Sequence, residues 1–331
     1  MLVLVLLCIA CRPDRRPVKV QGPASSGIET DLGLDELRKS LESTVLENYV
    51  QLTYGNIEAF LDRVAVEGEV QFIGVTPGDV LVGVNPPGLR EDRRLYRRRR
   101  LRILSKNLDV HLSQDGSVGW VYDEVSYRVE YMGREASIPI RSTSLYLRDV
   151  ERWVLAAGHL SYGVPIGELI SVVARGNFRK GASIKTEQGP SKELSASLVG
   201  IVGRFINGSA TEALYHGDES ALLLLPGPEQ EYHGEECLDA PPLSKTIGED
   251  ATVAVKNYRV QLSSSRRVAW LVANLSARGD FNGDLLEIPL RGSFVLEQRG
   301  EGDWLIAQAH ISAPFSESEL SALVFGPAED K

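Results

Sequence analysis

The chain has 331 residues, of which 43% are hydrophobic and 24% charged, and its net charge is −9. This is the composition of an ordinary globular protein with room for about two domains, and an acidic whole argues against general nucleic-acid binding. The three cysteines, Cys8, Cys11 and Cys237, give no disulfide framework, and the five scattered histidines have no metal-ligand spacing, so neither a metal nor a cofactor is expected.

Met1 to Ala10 is an unbroken apolar run. It is about half the length a membrane-spanning helix needs and has the length of a signal-peptide core. An apolar run, small Ala10 and then Cys11 resemble the lipobox of bacterial lipoproteins. Cys8 departs from the usual Leu of that pattern, and no basic segment stands before the run. The resemblance implies lipidation at Cys11. With Arg12 next, it also implies an exported protein anchored in the outer membrane and facing the periplasm. A plain cleaved signal and a cytoplasmic protein are the alternatives. Residues 12–33 are rich in Pro, Gly, Ser and charge and read as a flexible tether.

From residue 34 the chain states one pattern twice. Trp120 and Trp270, Pro139 and Pro289, and Arg141 and Arg291 all share a spacing of 150 residues. Asn107, Val110 and Leu112 match Asn257, Val260 and Leu262 at the same spacing, and His159 and Ser161 match His310 and Ser312 one residue later. Two copies of one domain follow, at 34–175 and 192–326, with a linker at 176–191 and a short tail at 327–331. Each copy is long enough to fold around its own core.

In the first copy, Leu34, Leu37, Leu41, Val45 and Leu52 recur at helical spacing, and Gly55-Asn56 breaks that helix before a second one over 57–64. Strands at 69–75 and 79–83 flank the turn Thr76-Pro77-Gly78. A helical or irregular stretch comes next, then a meander of long strands turning at Gln114–Gly116 and Met132-Gly133, and a closing strand at 153–161. A short helix ends the copy. The second copy repeats this order, with Leu194, Leu198, Val202 and Phe205 on its first helix, a break at Gly208-Ser209 and a closing strand at 304–312. Helices before a meandering sheet predict an α+β fold.

The phrases Gly119-Trp120-Val121, entering a long strand, and Trp153-x-Leu155-x-x-x-His159-x-Ser161, closing the sheet, resemble the SnoaL-like branch of the nuclear transport factor 2-like superfamily. The second copy carries the closing phrase from Trp304 to Ser312. The resemblance covers about residues 36–165 and 194–314. It implies two cone-shaped domains, each a curved antiparallel sheet wrapped over N-terminal helices, paired as an intramolecular pseudo-dimer that needs no further oligomer. The superfamily includes isomerases, cyclases, dehydratases, transport factors and oligomerisation modules, so the fold alone names no activity.

Strand alternation puts Trp153, Leu155, Ala157, His159 and Ser161 on one face of the closing strand, and Val154, Ala156, Gly158 and Leu160 on the other. If His159 faces the cavity it is a candidate base. The favoured reading turns the His/Ser/Trp face outward, against another sheet, because the small apolar face suits a curved inner wall. Trp120, Arg141, His159, Ser161, Trp270, Arg291, His310 and Ser312 are thereby ligand or interface candidates. Arg141 and Arg291 pair with carboxylates such as Glu130 or Glu287, or hold an anionic ligand. Ketosteroid-isomerase-like chemistry would use Tyr54 and Asp62, which align with Asn207 and Tyr215. The family's cyclase chemistry would use Asp123 or Glu124, which align with Ala273 and Asn274. No catalytic set is kept in both copies.

The largest difference between the copies is basic. Arg90, Arg93, Arg94, Arg97, Arg98, Arg99, Arg100 and Arg102 crowd into residues 89–102, while the second copy as a whole is acidic. A solvated face, a match to the acidic copy and contact with anionic lipid are the three readings of this run. The sequence therefore predicts an envelope-anchored, non-catalytic binding or interaction module, its partner a small apolar ligand or an envelope protein. An isomerase- or cyclase-like enzyme acting on a hydrophobic molecule in the first copy is the alternative.

Overall fold

The computed structural model describes residues 33–64, 70–82, 102–131, 134–174, 184, 190–209, 219–248, 250–281, 284–300, 302–316 and 319. Cys8, Cys11, the tether, Arg90–Arg100 and most of the linker lie outside the described residues.

Helix α1 (Leu34–Thr53) buries Leu37, Leu41, Val45, Asn48 and Leu52 on one stripe, the pattern of a helix with one face on a core. Asp35 and Glu36 occupy its first turn, where acids suit the helix dipole. Gly55, at φ +69°, turns the chain into α2 (Ile57–Leu61), which is shorter than the expected 57–64. Strands β1 (Gln71–Ile73), β2 (Val80–Val82), β3 (Arg102–Ser105), β4 (Asp109–Leu112), β5 (Val118–Tyr131), β6 (Arg134–Asp149) and β7 (Arg152–Ser161) follow, then α3 (Ile166–Ala174). Their sheet has the order β2-β1-β7-β6-β5-β3, with β4 also on β5.

The second repeat opens with α4 (Lys192–Ile206), whose N-cap Ser191 accepts the Leu194 amide through Oγ at 3.1 Å. Strands β8 (Leu222–Leu224) and β9 (Glu231–His233) come next, then the short helices α5 (Glu236–Asp239) and α6 (Leu243–Ile247). Strands β10 (Thr252–Leu262), β11 (Val268–Phe281), β12 (Asp284–Arg299) and β13 (Asp303–Ser312) complete it. Their order, β10-β11-β12-β13-β8-β9, is that of the first sheet, with β10 in place of β3 and β4. Registers repeat as well. Asp123 pairs with Ser142 and Ala273 with Gly292; Ser126 pairs with Pro139 and Ser276 with Pro289.

Contacts gather the chain into two compact units. One holds the described residues up to Gly74 together with Leu81–Leu160; the other holds Val75–Val80 and Ser161–Ser316. This division differs from the expected domain ends. Helix α3 packs against β12 and so belongs to the second unit, as does the strand-connecting segment Val75–Val80.

Tight turns also repeat. Ser113 Oγ accepts the Val118 amide at 3.0 Å, and Ser263 Oγ accepts the Val268 amide at 3.2 Å. Gly116 (φ +64°) and Arg266 (φ +60°) take the same place in these turns, as do Val150 (φ +57°) and Gly300 (φ +63°) in the turns before the closing strands.

Candidate functional site

The helix-facing side of the first sheet is fixed by Gly119. A Cβ there would stand 2.2 Å from Leu41 Cδ2 of α1. By strand alternation Val121, Asp123, Val125 and Tyr127 share that side, and their register partners are Ser144, Ser142, Ile140 and Ile138, with Tyr146 opposite Gly119. Trp120, Tyr122 and Glu124 point to the other side with Leu145, Thr143 and Arg141.

Asp123 is fully buried there. Its Oδ1 accepts the backbone amides of Lys106 and Asn107, at 3.3 and 3.1 Å, which sit in the gap between β3 and β4. Burial raises its carboxyl above the ordinary value, against the opposing pull of Ser105, these two amides and Tyr49. Tyr49, on α1, is half-buried, and burial lifts its phenol well above the usual value; the nearby Asp123, Tyr146 and Tyr127 lift it further, while Ser142 opposes the shift. Tyr146 is pushed up to about 12 by burial, and its Oη accepts from Asn48 Nδ2 at 3.3 Å. Arg63, which also acts on Tyr146, is bound through Nη2 to Glu47 at 2.7 Å. The result is a buried acid amid neutral phenols and hydroxyls with a cation at one end.

Register carries Asp123, Tyr127, Ser142, Ser144 and Tyr146 onto Ala273, Ala277, Gly292, Phe294 and Leu296. The Phe294 ring covers Gly292, where a Cβ would meet it at 2.6 Å. The second repeat thus fills with apolar side chains the positions that are polar in the first.

The other candidates fall elsewhere. Glu124 is half-exposed and pairs with Lys106 at 3.0 Å. Tyr54 is 82% exposed at the end of α1, so it is no interior acid, and the Tyr54–Asp62 pairing is set aside. Trp120 is buried beneath His111, ring centroids 6.4 Å apart, and Arg141, His159 and Trp270 are buried too. His310, Arg291 and Ser312 lie on the side of the second sheet opposite Leu223 and Ala309. Within the second unit His310 Nε2 is 2.7 Å from Ser161 Oγ. Arg291 donates from Nη1 to the Thr76 carbonyl at 2.9 Å and from Nη2 to the Val75 carbonyl at 3.4 Å. This corrects the expected pairing with Glu287, which instead takes Ser276 and Arg278. Desolvation lowers Arg291 to about 10. Arg102 is exposed on β3. Among the described residues no group of three or more His, Cys, Asp or Glu is placed to hold a metal, and no helix is long and apolar enough to cross a membrane.

Sequence reasoning named Asp123 but missed Tyr49, Tyr127, Ser142 and Tyr146. The signal was available for the strand residues: Tyr127, Ser142 and Tyr146 are polar where the other copy has Ala277, Gly292 and Leu296.

A family model of the SnoaL-like domain matches residues 49–166 and 240–316, together more than half of the chain. Solved structures are similar to parts of the chain at low identity. A protein named as a dehydratase of the nuclear transport factor 2-like family from Streptomyces avermitilis is 14% identical, over 40% of this chain and 99% of its own, with a TM-score of 0.36. A nuclear transport factor 2-like protein of unknown function in nutrient uptake from Rhodospirillum rubrum is 17% identical over 40% and 100%, with a TM-score of 0.29. The CamKII hub homology domain of Chlamydomonas reinhardtii is 13% identical over 38% and 98%, with a TM-score of 0.31. No curated protein matches the chain.

Proposed function

We propose that this chain, which belongs to the SnoaL-like domain family, binds a small apolar molecule bearing a hydroxyl or carbonyl group against the helix-facing side of its first sheet. One observation carries the reading: a fully buried Asp123 with Tyr49 beside it, in the repeat whose twin has only Ala273 and apolar neighbours. Burying a polar set has a cost that an apolar core of equal volume avoids, so keeping it in one copy only fits a use for it. Apolar surface supplies the affinity and a few placed polar groups supply orientation.

The test is binding of apolar ketones and phenols by calorimetry, comparing the native chain with Tyr49→Phe. Removing one hydroxyl should weaken the bound ligands about tenfold, and should lower stability by no more than about 1–3 kcal/mol for the donor that Asp123 loses. Equal affinity in the two proteins contradicts the site.

A second reading, proton transfer as in an isomerase or cyclase, is favoured by the raised Asp123 carboxyl, since a buried acid moves toward the range where it exchanges protons. Asp123→Asn then abolishes turnover of a ligand that the variant still binds. The apolar run Met1–Ala10 and Cys11 support placing this activity at the cell envelope on a lipid anchor. Incorporation of labelled fatty acid into the native chain, and its loss in Cys11→Ser, tests that placement.

A further inference from the structure

The second unit has a pocket of its own, of about 260 Å³, between the end of α4, strand β8 and the α5–α6 segment. Phe205, Leu223, Leu225 and Leu243 form its apolar walls, and Pro241-Pro242 forms its edge. That edge is held in place: the αL turn at Gly208 (φ +75°) lies so close to Pro242 that a Cβ there would meet its ring at 2.8 Å. A wall pinned by two prolines and a close turn keeps its shape without a ligand, which lowers the ordering cost of binding.

Asn207 spends its amide on the backbone: Nδ2 donates to Gly203 O and Val253 O at 2.9 and 2.8 Å, and Oδ1 accepts the Val253 amide at 3.0 Å. The Cys237 thiol donates to Tyr232 O at 3.3 Å, and burial pushes it up to about 12, so it stays a neutral wall atom. Lys245 is exposed at the rim, and no described acid pairs with its ammonium. No Asp or Glu lines the pocket.

We propose that this pocket binds small amphipathic monocarboxylates, the apolar body against Phe205, Leu223 and Leu225 and the carboxylate at Lys245. The volume, just under the span of about 300–1,000 Å³ for drug-sized ligands, limits the body to a short chain or a single ring. The site is separate from the one at Asp123 and stands whether or not that one binds anything.

The experiment is calorimetric titration of the full chain with octanoate and with octanol. Octanoate should bind saturably and more tightly than octanol. Lys245→Gln, an exposed change that leaves the core alone, should weaken octanoate about threefold and leave octanol unchanged. Ala240→Phe, which puts a ring into the lining, should abolish both. Absence of saturable octanoate binding overturns the proposal, as does equal affinity in Lys245→Gln or retained binding in a folded Ala240→Phe. Octanoate that loses affinity in Tyr49→Phe rather than in Lys245→Gln would place it at the first sheet and also overturn the assignment.

Discussion

Asp123 and Ala273 hold the same register position in the two sheets, opposite Ser142 and Gly292, yet one is a buried acid and the other a methyl group. The backbone differs to match. In the first repeat the edge strand is broken between β3 and β4; there the Asn107 amide turns to Asp123, and the Lys106 amide is shared between the Glu124 carbonyl at 2.9 Å and Asp123 at 3.3 Å. In the second, β10 runs unbroken from Thr252 to Leu262, with a register shift between Val255 and Asn257 taking up the irregularity.

Asp123→Ala should therefore cost about 1–3 kcal/mol in urea unfolding, because the Asn107 amide loses its acceptor, while the Lys106 amide keeps the Glu124 carbonyl. Asp123→Asn, which keeps an acceptor oxygen, should cost less. The pH dependence has a definite sign. The folded carboxyl is raised, so the folded state holds its proton more tightly than the unfolded chain does. Its contribution is most favourable at acid pH and declines as pH rises from the unfolded value through the raised folded one. Asp123→Asn should flatten that decline in a pH series of urea midpoints; an unchanged slope contradicts the assignment.

The reciprocal change is harsher. Ala273→Asp places an acid in a fully buried site with no broken edge strand to supply amides. A loss of about 2–4 kcal/mol is expected, measured by the same denaturation.

Each repeat shows the other how to relax a turn. Val150 is β-branched at φ +57°, where its twin is Gly300, and such a residue is strained in the left-handed region. Val150→Gly should stabilise the protein by about 1 kcal/mol, with a smaller gain for Arg266→Gly, whose twin is Gly116. Thermal unfolding of the two single variants measures both.

Asn207 closes α4 and pins the start of β10 through three hydrogen bonds. Asn207→Ala should cost about 1–3 kcal/mol and raise hydrogen exchange at Val253 first, since that amide loses its acceptor.

The repeat, the helix-then-meander order and the closing strands were legible because side-chain period and the 150-residue spacing are properties of the sequence itself. Helix α2 came out shorter than its apolar pattern, since Asp62 and Arg63 leave the helix and the Arg63 carbonyl is taken by the Leu155 amide. Arg291 was expected to pair with a carboxylate such as Glu287 or to hold an anionic ligand; Glu287 binds elsewhere, and the carboxylate that acts on Arg291 is Asp79. The hydrogen-bond partners of Arg291, Val75 and Thr76, are more than 200 residues away, and no local pattern announces a guanidinium bound to distant carbonyls. The Asp123 cluster was half legible: the acid was visible, but Tyr49 reaches it from a helix, and contacts between a helix and a strand are set by packing rather than by spacing.

A crystal structure of the chain purified without added ligand tests the central claim most directly. The account predicts density for a non-protein molecule in contact with the half-buried Tyr49, behind which Asp123 is enclosed by the chain, with Ala273 and Phe294 packed only against protein. Tyr49 in contact with protein and solvent alone would contradict it, and would reduce Asp123 to a brace for the β3–β4 break.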